Sequence, residues 1–198
     1  MTNTDCILWQ SAQNVQLAQQ NLDKLYQAFQ EIVCSTGDLV IEFAHDDPPQ
    51  DVFIQSVWNS YFYIKKSDHS DAEIYGTLTL AIQLTSDEGY ENEWGNGKRS
   101  KVLICYSAMP GEGQGWMFST QAPNTAGYFE GWVSKSLHWA RDDVSDPSWF
   151  YALPLDHLTN LTAVRDLIVT PVHEIIRGGK VEEVLMKIKT SLCQPPRA

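Results

Sequence analysis

The stretch IYGTLTLAIQL, residues 74–84, decides how this chain is read. Its even positions hold Ile74, Gly76, Leu78, Leu80, Ile82 and Leu84, and its odd positions hold Tyr75, Thr77, Thr79, Ala81 and Gln83. Successive side chains of a strand point to opposite faces. Strict alternation therefore predicts a β-strand with one apolar and one threonine-rich face, covered on one side. A partner strand follows at residues 101–107, KVLICYS. It is apolar on both faces, with Val102, Ile104 and Tyr106 against Leu103 and Cys105, and belongs at the centre of a sheet. Between the two, residues 86–100 carry Asp87, Glu88, Glu91 and Glu93, then Trp94-Gly95-Asn96-Gly97, where Asn-Gly is a strong turn signal.

Working outward, further strands are predicted at residues 38–45, 57–66, 116–120 and 149–155. The strand at 57–66 is crowded with Trp58, Tyr61, Phe62 and Tyr63 and ends in Lys65-Lys66, a pair that blunts sheet edges. Residues 127–140 fit strand and helix periods equally well. Before the sheet, Val15, Ala18, Leu22, Leu25, Phe29 and Ile32 recur at alternating spacings of three and four, one apolar stripe on a long helix. Cys34-Ser35-Thr36-Gly37 ends it. After the sheet, Asn160 or Thr159 caps a helical region that Pro171 kinks or restarts and Gly178-Gly179 interrupts. A last helix follows, with Glu183 and Lys187 paired four residues apart. The reading is one α+β domain over residues 1–198. A mainly antiparallel β-sheet (38–155) is covered by a long N-terminal helix (8–34) and C-terminal helices (160–193).

The formal net charge of −11 is uneven. Residues 1–97 hold 15 acids and 3 bases, and residues 98–198 hold 10 acids and 11 bases. Such a field repels nucleic-acid phosphates and anionic lipid and attracts a basic protein surface. No apolar run is long enough to span a bilayer, and Met1–Asp5 has neither a basic region nor an apolar signal core. The four scattered cysteines (Cys6, Cys34, Cys105, Cys193) contain no Cys-x-x-Cys pair and read as reduced thiols of a cytoplasmic protein.

No motif of catalysis or cofactor binding stands out. Gly111, Gly113 and Gly115 lack the Walker lysine and are followed by a strand-like segment, so no phosphate cradle and no cofactor is expected. The five histidines show no paired ligand spacing, and no metal is expected. Weak catalytic candidates are Glu42, a carboxyl in an apolar strand suited to acid or base work, with His45 and Asp46 in the loop behind it. A binding set gathers in the middle of the chain: Glu88, Glu91, Glu93, Trp94, Gly113, Trp116 and Trp132. Aromatics on glycine-flanked segments line pockets or anchor interfaces. Two functions follow. One is a non-enzymatic protein that recognises a basic protein surface. The other is a small-ligand binder or hydrolase-type enzyme with its pocket at the sheet and its glycine-rich loops.

Overall fold

In the computed structural model, which describes residues 3–36, 39–46, 57–65, 74–84, 100–108, 118, 132–141 and 148–193, the two organising segments pair as the alternation predicts. They are β4 (Ile74–Gln83) and β5 (Lys101–Ser107), antiparallel from Thr77 opposite Ser107 to Gln83 opposite Lys101. The other strands are β1 (Cys34–Thr36), β2 (Leu39–Asp46), β3 (Val57–Lys65), β6 (Val133–Ser134), β7 (Trp139–Ala140) and β8 (Trp149–Pro154). They form one eight-stranded sheet in the order β1-β2-β3-β4-β5-β8-β7-β6, every pairing antiparallel. The fold is α+β, with β4 and β5 in the middle.

One face of the sheet carries the main core. Leu78, Leu80 and Ile82 of β4 sit beside Phe62 and Ile64 of β3, Val102 and Ile104 of β5 and Tyr151 and Leu153 of β8. Helix α1 (Asn3–Phe29) lays Leu22, Leu25 and Phe29 on this face, and a short 3-10 turn adds Ile32. The C-terminal helices complete the cover: α2 (Leu161–Val164), α3 (Thr170–Ile176) and α4 (Val181–Met186). Asn160 caps α2, its side chain accepting from the Ala163 N–H at 2.9 Å. Gly178 takes φ 101° after α3, a left-handed stop that glycine adopts without strain.

Between α2 and α3 the helix runs through a π turn, Arg165–Val169, into Pro171. Proline has no N–H, so the Leu167 carbonyl loses its α-helical donor there. The Tyr151 hydroxyl, reaching up from β8, donates to that carbonyl at 3.1 Å. Pro171 is thus absorbed in a continuous helical path rather than restarting it behind a Thr170 cap.

Four expectations are corrected. The threonine face of β4 is not open: Thr77, Thr79, Ala81 and Gln83 are all buried. A second, smaller core covers them, built of Leu103, Cys105, Phe118, Trp139, Phe150, Ala152 and Cys193. Lys65 does not blunt an edge, since β3 lies inside the sheet. Cys34–Thr36 is not a helix-ending turn but the edge strand β1, entered through extended Val33. Glu183 pairs with Lys180, three residues before it, while Lys187 reaches Glu174. The ambiguous stretch resolves, where described, as the hairpin of β6 and β7.

Candidate functional site

The acid candidates fall on β2, next to the sheet edge. Glu42 stands opposite Tyr63 of β3 and forms an ion pair with Lys65, its diagonal neighbour. The Glu42 side chain keeps 43% of its exposure. Beyond it the register slips between Phe43 and His45, a bulge at Ala44. The His45 ring then stacks on Tyr61, ring centroids 4.7 Å apart, and Asp46 is the exposed last residue of the strand. The three therefore line one short length of strand, with Glu42 and His45 each engaged by a β3 side chain. Among the described residues no three of His, Cys, Asp and Glu come close enough to hold a metal ion.

Of the middle set, only Trp132 lies within the described residues; Glu88, Glu91, Glu93, Trp94, Gly113 and Trp116 lie outside them, as do the glycine-rich loop and the strand read at 116–120, apart from Phe118. Trp132 packs edge-on to Phe150, centroids 4.8 Å apart, while Trp139 stacks flat on the same ring at 4.7 Å. Both serve the second core. Phe118 joins them at 5.4 Å from Phe150. It is pinned by Asn59, which donates to the Phe118 carbonyl at 3.1 Å and accepts from its N–H at 3.2 Å.

That second face is unusually polar for a core. Asn59, Thr77, Thr79, Gln83, Lys101 and Ser107 are all buried on it. The Thr77 and Thr79 hydroxyls and both amide atoms of Gln83 have no hydrogen-bond partner among the described residues and are sealed from solvent. Each such atom costs about 1–3 kcal/mol of desolvation.

An opening lies elsewhere among the described residues, where α1 crosses the end of the sheet. A groove of about 1060 Å³ runs between α1 and the segment that leads into α2. Leu22, Leu25, Leu84, Leu155, Leu158 and Leu161 form its apolar wall, with Asn21, Lys24 and Asp156 at the rim. The sequence reading missed this groove, because its two walls lie more than a hundred residues apart.

Helix α1 continues past the groove. From Cys6 to Asn21 no residue is buried, and Ile7, Leu8, Trp9 and Leu17 are 59%, 64%, 65% and 55% exposed. Between Cys6 and Leu22 there is not one charged residue.

Charge is partitioned sharply. The described residues hold ten acids and ten bases. The other 15 acids and 4 bases lie outside them, chiefly in the connections that follow β2, β3, β4, β5 and β7. The whole excess of −11 therefore belongs to those connections, and the described framework is neutral. None of the four cysteines is in a disulfide among the described residues; Cys105 and Cys193 are buried, and burial pushes the Cys34 thiol up from its ordinary value. No described helix is long and apolar enough to cross a membrane. No known protein family, curated protein or solved structure matches the chain.

Proposed function

We propose that the protein binds a partner with a basic surface, the acidic connections between its strands steering that partner to it. One observation carries the reading: a neutral framework bears a charge excess confined to the connections. Acid added for general solubility would spread over helices and strands alike. Charge concentrated at strand ends acts instead on the encounter rate, since rim charges steer association more than they hold a complex together. The same field disfavours nucleic acid and anionic membrane as partners. Four cysteines outside any described disulfide suit a reducing cytoplasm. The competing pocket reading has less support, because two of its three acid–base candidates are already engaged, Glu42 by Lys65 and His45 by Tyr61.

The test is capture of binding proteins from extract, followed by association kinetics of the captured partner at several salt concentrations. The association rate should fall as the Debye length shrinks to about 8 Å. Replacing Asp87, Glu88, Glu91 and Glu93 together by their amides should slow association several-fold, with little change in dissociation or folding stability. Kinetics indifferent to both salt and the fourfold replacement would return the pocket reading to first place.

A further inference from the structure

We infer that two copies of this chain associate through α1, the exposed tip of each helix seated in the groove of the other. The argument begins with the tip. Consecutive helical residues project about 100° apart, so Ile7, Leu8 and Trp9 point in three directions around the axis. No flat surface covers all three, whereas a groove with a wall on each side does. An apolar groove of suitable size is present on the same molecule, beside the same helix, beginning at Ala18. At about 1060 Å³ it reaches the upper end of the roughly 300–1,000 Å³ typical of binding pockets, ample for the side chains of one helical turn.

Geometry then sets the pairing. A helix that carries both the knob and one wall of the hole satisfies both at once only in an antiparallel pair with a two-fold axis. Bringing residues 7–9 of one copy against residues 18–20 of the other puts that axis near Gln13 and Asn14. The overlap spans about 15 residues, or about 23 Å at 1.5 Å per residue. Because residues 6–22 carry no charge, the overlap sets no like charges against each other, although each chain carries −11 overall. Pairing also accounts for a helix that outruns its own domain, since an unsupported helical segment of this length is marginal in water. The apolar area covered, on the order of 1,000 Å² over both copies, sits at the lower bound for a specific interface. The dimer should therefore be weak and should dissociate on dilution.

The experiment is sedimentation velocity of the full chain from about 1 to 200 µM, a range suited to an interface of that size. The expected result is a monomer–dimer equilibrium within the range. A tip variant, Leu8→Glu with Trp9→Glu, and a groove variant, Leu161→Lys, should each remain monomeric; Leu8, Trp9 and Leu161 are exposed, so folding is not at stake. Mixing the two variants should restore association. In the mixed pair the groove variant's intact tip meets the tip variant's intact groove, and the second contact sets an acidic tip in a basic groove, an outcome that misfolding cannot mimic. Cys6 of one copy should not form a disulfide with Cys6 of the other under mild oxidation, since the antiparallel pair holds these positions roughly 22 Å apart along the axis. A monomer at every concentration, a dimer indifferent to the variants, failure of the mixture to associate, or efficient Cys6–Cys6 crosslinking would each overturn the inference.

Discussion

The two faces of the sheet solve the same packing problem in opposite ways. On the helix-covered face, Leu, Ile and Phe side chains from five strands meet the apolar stripes of α1 and the C-terminal helices. Its largest polar group, the Tyr151 phenol, is matched to a carbonyl, and Ser60 is its one buried hydroxyl with no partner among the described residues. On the other face, eight buried apolar residues share the space with Asn59, two threonines, Gln83 and Lys101. Burial alone does not tell the faces apart, for Leu80 and Thr79 are equally inaccessible. What differs is what burial yields: each apolar group there gains transfer free energy, and each unpaired polar group loses it.

The comparison breaks most easily at Phe62. It is fully buried, edge-on to Phe43 at 5.7 Å, and belongs to the larger core. Phe62→Ala should cost about 3–5 kcal/mol in urea-unfolding measurements. A loss under about 1 kcal/mol would mean that the helix-covered face is not the main source of stability.

Asn59 tests the other face. Its amide makes a pair of backbone bonds, both to Phe118. Asn59→Ala leaves a buried N–H and a buried carbonyl of Phe118 without it, at a cost of about 2–3 kcal/mol. The same variant should quicken amide hydrogen exchange at Phe118 while leaving β8 protected. Uniform loss of protection would show that the second face does not open on its own.

Thr79 should move the opposite way. Among the described residues its hydroxyl is buried without a partner, between Tyr61 and Cys105 on the neighbouring strands. Thr79→Val replaces that hydroxyl by a methyl group of similar size, so stability should rise by about 1 kcal/mol. A fall of that size would show that the hydroxyl is in fact satisfied.

These faces also show how far the sequence could be read. Alternation in residues 74–84 was enough to place β4 and its apolar side. It could not show that the threonine side is covered, because the cover arrives from Phe118, Trp139 and Cys193, far along the chain. Cys193 comes back to pair with Ala152 beside β8, a contact that no local pattern announces. The catalytic candidates were legible as residue types only; that Lys65 engages Glu42 and Tyr61 engages His45 depends on the β2–β3 register and its bulge. The exposed tip of α1 was visible in principle. Three consecutive apolar residues in an uncharged helical stretch cannot all face one core, but the regular stripe from Val15 onward drew attention to the buried half.

The smallest expected effect at neutral pH lies at Tyr151, and it carries a pH signature that distinguishes the faces. Complete burial raises the phenol well above its ordinary range. Its hydroxyl donates to the Leu167 carbonyl that Pro171 leaves without an α-helical donor. Tyr151→Phe removes one net hydrogen bond, about 1 kcal/mol near pH 7. In the unfolded chain the phenol loses its proton near pH 10, at about its unperturbed value. The folded chain holds that proton to higher pH. Above about pH 10 the unfolded state therefore binds fewer protons than the folded state, and stability falls as pH rises, by about 1.4 kcal/mol per pH unit for this one group. The contribution is fully present below pH 10 and declines above it. Tyr151→Phe should flatten that alkaline decline in urea titrations between about pH 9 and 11, and the two stability curves should cross there. Parallel curves would mean that the phenol ionises as readily in the folded protein as in the unfolded chain, and the helix-covered face would then admit water at its centre.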